Sequence, residues 1–298
     1  MTRVLVFGGS GFIGRQVCRH LRQDPRLGEL TTPGRVDLDL VHGPVADVAA
    51  LLRAARPDVV VNCTGALSGG NHDLVAANTA VTAKLIDAIG EVAPGVRLVR
   101  LGSAGEYGPV PPGRPVGEDD PARPVSPYGL SHLAATALLE LSSAAGRVDG
   151  VTLRVFNPIG PGLHEDTVLG RAAALIRQAR RTGAGEIPMG PLLAHRDFVD
   201  VRDVAAGVVA AAFVPRLDDR VVNLASGRAV PTRRVVELLA EAAGFDGAIR
   251  EEAPPPSRSA AVSWIQGDNS RAARLLGWAP TYELAESVKA VWVGEDDR

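Results

Sequence analysis

The sequence predicts an α/β fold, in which a doubly wound parallel sheet is followed by a smaller C-terminal region. Short apolar strands alternate with longer amphipathic segments through the first half of the chain, and a glycine-rich turn follows the first strand. Strands that are buried under helices on both faces appear as short apolar runs between helical segments. At 298 residues, the chain is long enough for such a sheet and one further region.

Hydrophobic periodicity and turn residues give the expected elements in order. The predicted strands of the first half are 3–7, 29–32, 59–62, 97–101 and 151–156. The predicted helices between them are 12–22, 45–55, 73–89 and 128–145. Beyond Phe156 the alternation loosens, with helices expected at 168–181, 203–213 and 230–243 and short strands at 198–199 and 221–224.

Composition narrows the classes of partner. Hydrophobic residues make up 46% of the chain, charged residues 22%, and the formal net charge is -2, so we expect no nucleic-acid partner. No apolar run is long enough to cross a bilayer, and the chain begins directly with a strand, so we expect no membrane association. Cys18 and Cys63 match no metal-ligand spacing, which predicts no metal site and favours a reducing cytoplasm.

The first strand runs into the segment Gly8-Gly-Ser-Gly11-Phe-Ile-Gly14, which opens a helix. Glycines in this position permit a tight turn and a close approach of the backbone to a pyrophosphate, and the helix start offers N–H donors. A purely structural turn is the alternative, but the position between first strand and first helix favours a dinucleotide-binding, Rossmann-type sheet. The predicted cofactor contacts in this segment are Gly8, Gly11, Phe12, Ile13 and Gly14.

This assignment divides the chain into two parts. We predict a dinucleotide-binding domain over residues 1–156, to which 195–225 return. Residues 157–194 and 226–298 form the predicted substrate-binding region.

The glycine spacing and several later segments together resemble the extended short-chain dehydrogenase/reductase superfamily, whose members include nucleotide-sugar epimerases, dehydratases and reductases. Nearly the whole chain takes part in the match, through LGSAGEYG, SPYGLSHLA, LRVFNPIGPG, HRDFVDVRDVA and PPSRS. The resemblance implies that Ser103 and Tyr128, 25 residues apart, are catalytic. It also implies that Asn157, Arg196 and Arg258 contact a nucleotide-sugar substrate, together with Ser103.

One position departs from the family pattern. His132 stands four residues after Tyr128, where the family has a lysine that favours the tyrosine phenolate and binds the nicotinamide ribose. Three interpretations stay open: a protonated imidazole replaces the ammonium group, ketone reduction tolerates its loss because Tyr128 then acts as an acid, or the protein binds dinucleotide without turnover. His132 is accordingly predicted to be both catalytic and cofactor-binding. Tyr128, besides its catalytic role, is also predicted to contact the cofactor.

The resemblance also narrows the reaction. Dehydratases of this kind carry an acid two residues after the catalytic hydroxyl, where this chain has Gly105. Dehydration is therefore disfavoured, although Glu106 is an acid next to that position. Reduction of a 4-keto-6-deoxy sugar nucleotide is favoured, and epimerisation is the alternative.

The second strand ends in LTTPGR without a carboxylate before Asp37, so Arg35 and Asp37 are predicted at the adenosine end. This favours NADP as the cofactor, with Arg15 or Arg35 as the partner expected for its 2′-phosphate, and NAD is the alternative. Helices 73–89 and 128–145 correspond to the dimer contact common in the family, which predicts a homodimer.

Overall fold

The protein is described here from a computed structural model, which covers residues 1–252 and 261–294. Within these residues, the strands numbered in chain order are β1 Thr2–Phe7, β2 Leu27–Thr31, β3 Val59–Asn62, β4 Arg97–Ser103, β5 Asp149–Val155, β6 Asn157–Ile159, β7 Glu186–Met189, β8 His195–Asp200, β9 Val221–Leu224, β10 Ala229–Pro231 and β11 Ala248–Glu251.

The helices alternate with these strands through the first half. They are α1 Phe12–Gln23, α2 Val45–Ala55, α3 Asn71–Leu74, α4 Val81–Val92, α5 Pro127–Ala144, α6 Val168–Thr182, α7 Val201–Phe213, α8 Thr232–Ala243, α9 Ser270–Leu276 and α10 Leu284–Val293. A π-helical segment, Val75–Ala80, joins α3 to α4, and a short 3₁₀ turn, Ala104–Glu106, follows β4.

Six parallel strands form the main sheet in the order β2-β1-β3-β4-β5-β9. Its two faces bury separate apolar clusters, one shared with α1 and α7 and the other with α2 and α4. Burial on both faces explains why strands such as β3, with the sequence VVVN, are apolar throughout. The α/β prediction with a parallel, doubly wound sheet is confirmed.

The C-terminal part carries two smaller sheets and its own apolar cluster. The strands β10, β8 and β6 form one sheet and β11 and β7 the other. Side chains of α6, α8 and α10 pack together in a cluster that includes Ile176, Leu239 and Val288. This cluster supports the predicted division into two regions, which remains a proposal.

Several predicted bounds were wrong in instructive ways. The predicted helix 73–89 is a longer helical stretch interrupted by the π-helical segment. The predicted helix 230–243 begins only at Thr232, because Val230 and Pro231 belong to β10 and pair with β8. Strands β6, β7, β10 and β11 are three or four residues long, too short for alternation to reveal them.

Candidate active site

The site residues of the first half gather at the carboxyl ends of the main-sheet strands. The register places Phe7 beside Asn62, Asn62 beside Arg100, and Ser103 beside Val155. The glycine loop, defined here as residues 8–14, therefore follows β1 at the same edge where β4 ends in Ser103. Ligands of open parallel sheets bind in the crevice at this edge.

Backbone contacts explain the glycines of this loop. Gly8 has a φ of +75°, and a Cβ there would lie 2.9 Å from the carbonyl carbon of Cys63. A Cβ on Gly14 would lie 2.0 Å from the carbonyl oxygen of Gly8, whereas one on Gly11 would lie 3.3 Å from that atom. Gly8 and Gly14 thus let the loop fold against β3 and against itself.

The loop leads into α1 with Gly11 at the N-cap position, without a side-chain cap. The first N–H groups of a helix lack intrahelical acceptors, and no acidic residue occupies the first turn of α1. Backbone donors and the positive end of the helix dipole therefore face the crevice. These features fit a dinucleotide pyrophosphate.

Asn78 connects this cofactor side to the helix that carries Tyr128. Its side chain exchanges hydrogen bonds with the backbone of Ala66, after β3, at 2.8 and 3.1 Å. It also donates to Ser131 Oγ at 3.0 Å, and that hydroxyl donates to the Tyr128 carbonyl. The π-helical segment thus places a buried amide where it ties the end of β3 to α5; such segments are frequent at functional sites.

Ser103 and Tyr128 converge on Gly105. A Cβ built on Gly105 would meet Ser103 Oγ at 3.3 Å and two ring carbons of Tyr128 at 3.4 Å each. Ser103 Oγ accepts a hydrogen bond from the Gly105 N–H at 3.1 Å and still carries a proton to donate. The structure therefore brings the two predicted catalytic hydroxyl residues together.

Local capping sets the position of Tyr128 in the first turn of α5. Ser126 is the N-cap and accepts from the Gly129 N–H at 3.1 Å, and Pro127 occupies the first helical position. Gly129 is needed because a Cβ there would lie 2.3 Å from the Gly105 carbonyl oxygen. The start of α5 is thereby pressed against the turn that follows Ser103.

His132 lies beside Tyr128 but points a ring nitrogen at a buried arginine. The two rings have centroids 4.7 Å apart, and His132 is 6% exposed. Its Nδ1 is 2.9 Å from Nη2 of Arg100. Arginine only donates hydrogen bonds, so Nδ1 must accept and the imidazole proton resides on Nε2.

The electrostatics agree with this geometry. Burial, reinforced by the positive charge of Arg100, holds the pKa of His132 well below its usual value of 6.5. The structure therefore contradicts the interpretation in which a protonated His132 replaces the family lysine. A protonated ring would put two cations in contact and would lose the Nδ1 acceptor.

Arg100 and Glu106 belong to one buried network beneath the site. Arg100, 2% exposed, donates to Thr82 Oγ1 at 3.2 Å and to Thr136 Oγ1 at 3.1 Å. Thr136 in turn donates to Glu106 Oε2 at 2.9 Å. The same oxygen accepts from Nε of Arg154 at 2.8 Å, and burial lowers the pKa of Arg100 to about 10.

Glu106 is fully engaged in this network. Its second oxygen, Oε1, accepts from the Ser103 N–H at 3.0 Å, and its side chain has no exposed surface. A carboxylate held by Arg154, Thr136 and Ser103 is a structural anchor for the turn after β4. It is poorly suited to the proton transfers of dehydration.

Two of the predicted substrate residues, Asn157 and Arg196, lie in the small sheet that contains β6 and β8. Asn157 donates through Nδ2 to the Asp197 carbonyl at 2.9 Å. Arg196, 8% exposed, donates to the carbonyls of His195 at 2.9 Å and Val262 at 2.6 Å. Both side chains hold backbone in this structure, and their predicted substrate contacts remain predictions; Arg258 lies outside the described residues.

The predicted adenosine-end residues lie in the loop after β2. Arg35 is exposed, and Asp37 accepts from the Gly34 N–H at 2.8 Å, so the carboxylate stabilises the loop. Arg15, the other arginine considered for the cofactor phosphate, donates to the carbonyls of Pro161 and Gly162 at 3.3 and 3.0 Å. It thereby connects α1 to the turn after β6.

Sequence reasoning missed Arg100, Thr136 and Arg154. The available signal was an arginine inside an otherwise apolar strand, as in RLVRLGS and TLRV, because arginine is rarely fully buried without a specific partner.

Among the described residues, no helix is long and apolar enough to span a membrane. That part of the chain also holds no group of three or more side chains arranged to ligate a metal ion.

Comparison with known proteins gives relatives over the full chain. The dTDP-6-deoxy-L-talose 4-dehydrogenase (NAD(P)(+)) of Kitasatospora kifunensis is 39% identical, covering 99% of this chain and 96% of its own. The GDP-6-deoxy-D-mannose reductase of Pseudomonas aeruginosa is 29% identical, covering 97% and 95%. The structure of RMD from Pseudomonas aeruginosa complexed with NADPH superposes with a TM-score of 0.86 at 25% identity, covering 98% of both chains.

A family-level match agrees with these relatives. The model of the family described as "NAD dependent epimerase/dehydratase family" matches residues 4–225, which include the glycine loop, Ser103, Tyr128 and the strands β6 and β8. The match covers more than half of the chain. The protein belongs to the NAD dependent epimerase/dehydratase family.

Proposed function

We propose that this protein is an NADPH-dependent reductase of a nucleotide-activated 4-keto-6-deoxyhexose, acting at C4 of the sugar. The observation that carries the proposal is the convergence of Ser103 Oγ and the Tyr128 ring on Gly105, a position without an acidic side chain, while the neighbouring Glu106 is held in the buried network. A hydroxyl pair at this point can hold and protonate one carbonyl oxygen. The relatives that act on 6-deoxy sugar nucleotides support dTDP or GDP as the first nucleotides to test.

The two hydroxyl groups divide the work. Tyr128 donates its phenolic proton to the carbonyl oxygen of the substrate, and Ser103 donates a hydrogen bond to the same atom and so stabilises the negative charge that develops on it. The bound nicotinamide cofactor supplies the hydride. In the opposite direction, the Tyr128 phenolate takes the proton back.

Cofactor binding is assigned to three regions. Backbone N–H groups of the glycine loop and of α1 hold the pyrophosphate, and the loop with Arg35 and Asp37 lies at the end of β2, where the adenosine is expected. Arg35 supports NADP, because an exposed guanidinium at this position suits a 2′-phosphate. Tyr128 and His132 are assigned to the nicotinamide ribose.

Substrate binding is assigned to the sheet of β6, β8 and β10. Asn157 and Arg196 are proposed to face the nucleotide diphosphate, with Ser103 at the sugar carbonyl. Arg196 then exchanges at least one carbonyl partner, His195 or Val262, for a phosphate oxygen, which forms a stronger charge-assisted bond.

Anaerobic mixing with NADPH and a panel of 4-keto-6-deoxy sugar nucleotides tests the proposal. Oxidation of NADPH with one of them, together with formation of the corresponding 6-deoxyhexose nucleotide, is the expected result. Tyr128→Phe serves as the control that retains the pocket and lacks the proton. The absence of NADPH oxidation with every dTDP-, GDP- and UDP-activated ketosugar would overturn the proposal.

An epimerase is the second candidate, because the same serine and tyrosine serve a reversible oxidation and the family includes epimerases. An epimerase keeps NAD bound and regenerates it within one turnover, so it forms product without added cofactor. Release of cofactor by denaturation of the purified protein separates the two: stoichiometric NAD favours epimerisation, and an empty protein that needs NADPH favours reduction. A protein with bound dinucleotide and no turnover in either assay would instead be a binding protein.

We also propose that the protein is a homodimer of the cytoplasm. Exposed apolar side chains on α5 and the adjoining π-helical segment, namely Leu130, Leu138, Leu141 and Val75, support a contact through this surface. Both cysteines are free thiols, which supports a reducing compartment. Light scattering on the wild type and on Leu141→Glu tests the dimer; a wild type that is a monomer would contradict it.

A further inference from the structure

Arg100 is a buried cation whose hydrogen-bond partners are neutral. Its guanidinium donates to two threonine hydroxyls and to the neutral imidazole of His132. The carboxylate of the cluster, Glu106, is bonded to Arg154 and reaches Arg100 only through Thr136. Burying a charge without a directly paired counter-ion is costly, so its retention calls for a compensating use.

The charged groups around His132 come from several elements. They are Arg100 on β4, Glu106 after β4, Arg154 on β5 and the exposed Glu140 farther along α5, whose charge interacts with those of Arg154 and Glu106. Two guanidinium groups and one carboxylate, Glu106, are buried, which leaves one net positive charge beneath His132.

Tyr128 is the ionisable group positioned to use that charge. Its ring is 4.7 Å from the His132 ring, and negative charge on Glu106 and on Tyr128 raises the pKa of Arg100 against the effect of burial. By the same interaction, the positive charge of Arg100 favours the phenolate of Tyr128. His132 stands between the two and accepts from one of them.

We propose that Arg100 is the permanent cation of this active site and that it acts on Tyr128 through a neutral His132. Arg100 is a positioning residue: it orients the imidazole, fixes its proton on Nε2 and polarises that N–H. His132 and Arg100 together then do what a single ammonium group does in a Tyr-x-x-x-Lys site. The inference rests on the proposed role of Tyr128 as the proton donor.

The sign of the pH effect follows from the charge. A nearby cation lowers the pKa of a phenol, whose ordinary value is about 10, and removal of the cation raises it. Reduction uses protonated Tyr128, so the alkaline limb of the pH–rate profile for reduction moves to higher pH in Arg100→Met. Oxidation uses the Tyr128 phenolate, so the acidic limb of the pH–rate profile for oxidation also moves to higher pH.

Titration of Tyr128 without substrate measures this directly. The chain has three tyrosines, so ultraviolet difference titration of a protein and its Tyr128→Phe counterpart isolates the Tyr128 phenol. Arg100→Met is expected to raise the midpoint by about one pH unit. Arg100→Lys, which keeps the charge, is expected to recover more than half of that shift.

Two variants separate an electrostatic role from a structural one. Thr82→Val removes a hydrogen bond to Arg100 in the same buried network without removing charge, so the Tyr128 midpoint is expected to stay in place even where thermal stability falls. His132→Gln replaces the titratable ring with an amide, whose carbonyl oxygen can accept from Arg100 and whose N–H can donate in place of Nε2. It is expected to leave the midpoint much closer to the wild type than Arg100→Met does.

Two results of the Tyr128 titration would overturn the inference. An Arg100→Met midpoint equal to that of the wild type would do so, as would a His132→Gln shift as large as the one expected for Arg100→Met. If Arg100→Met does not fold, nitrogen-15 NMR of the histidines in the wild type decides: His132 protonated on both nitrogens near neutral pH contradicts the proposal, and a single proton on Nε2 supports it. Failure of every ketosugar assay would refute the proposed function but would leave this titration result standing.

Discussion

The glycine loop and the cluster around Tyr128 occupy the same edge of the main sheet but are built in opposite ways. The loop presents backbone N–H groups, and its requirement is the absence of side chains at Gly8 and Gly14. The Tyr128 cluster depends on side chains from β4, β5, α4 and α5, several of them charged and buried. The first depends on backbone, and the second contains His132, the position at which the sequence departs from the pattern that it resembles.

This difference teaches where such a site can change. The glycine loop binds through backbone N–H groups and tolerates no added side chain at Gly14, where a Cβ would lie 2.0 Å from a carbonyl oxygen. In a cluster of side chains, a positive charge that is absent at one position can be supplied by a neighbouring residue on another element. Under the proposal that Arg100 supplies the cation, His132 and Arg100 have to be tested together.

The largest expected effect is on the proton donor itself. Tyr128→Phe keeps the ring contacts with Gly105 and His132 and removes the phenolic proton. We expect kcat for ketosugar reduction to fall by about 10³-fold, within the range for loss of a general acid. Steady-state kinetics with saturating NADPH measures it.

Cofactor affinity is the control for this variant, since the glycine loop is untouched. Fluorescence titration with NADPH is expected to give a Kd within about threefold of the wild type, because a single hydroxyl contributes little to a dinucleotide contact of this size. A variant that retained full kcat would show that the proton comes from another group.

The second effect tests the exchanged residue. His132→Lys places an ammonium group against the Arg100 guanidinium and removes the acceptor for its Nη2, so we expect the free energy of unfolding to fall by about 3 kcal/mol. Arg100→Met combined with His132→Lys restores a single cation at the cluster. The double variant is expected to be more stable than His132→Lys alone in chemical denaturation.

Non-additivity is the informative outcome of that cycle. Two residues that share a charge show a coupling energy, whereas independent sites add within about 0.5 kcal/mol. Additive changes would mean that the ammonium group at position 132 and Arg100 do not interact, which would contradict the geometry described here.

A matched pair of glycine substitutions tests the other region. Gly14→Ala forces a Cβ against the Gly8 carbonyl oxygen at 2.0 Å, whereas Gly11→Ala meets the same atom at 3.3 Å. We expect Gly14→Ala to lose about 2 kcal/mol of stability, as overpacked sites do. Thermal unfolding measures the difference between the two variants.

The same two proteins also report on cofactor binding. Gly14→Ala is expected to weaken NADPH binding far more than Gly11→Ala, because displacement of the loop moves the N–H donors of α1. Equal effects of the two variants would show that contact with the Gly8 carbonyl does not govern the loop.

How far the sequence predicted this molecule differs between the two regions. The alternation of strands and helices and the spacing of Gly8, Gly11 and Gly14 are local patterns, so fold class and the glycine loop followed from them. The prediction that Ser103 and Tyr128 are catalytic came from the family resemblance, because residues 25 apart share no local pattern, and their convergence at Gly105 was seen only in the structure.

The Arg100 network was beyond sequence reasoning. Its contacts with Thr82, Thr136 and His132 join residues 18, 36 and 32 positions apart, and only the packing of α4 and α5 against β4 brings them together. The sequence alone therefore left three interpretations of His132 open, and the buried neighbour Arg100 favours a neutral ring.

The smallest expected effect concerns cofactor choice at the far end of the glycine-loop region. Arg35 is exposed in the loop after β2, and its assignment to the 2′-phosphate predicts that Arg35→Ala lowers the preference for NADPH over NADH by about tenfold, the value of one charge-assisted hydrogen bond. The change should appear in KM for NADPH with kcat retained, because the hydride end of the cofactor is distant from this loop. Arg22→Ala, an exposed arginine in the last turn of α1, is the matched control, since it removes the same charge at a residue that precedes β2 in the chain. An equal loss in both variants would assign the effect to overall charge and would contradict a specific contact of Arg35 with the 2′-phosphate. Arg15, which donates to the Gly162 carbonyl in the turn after β6, would then be the next arginine to test.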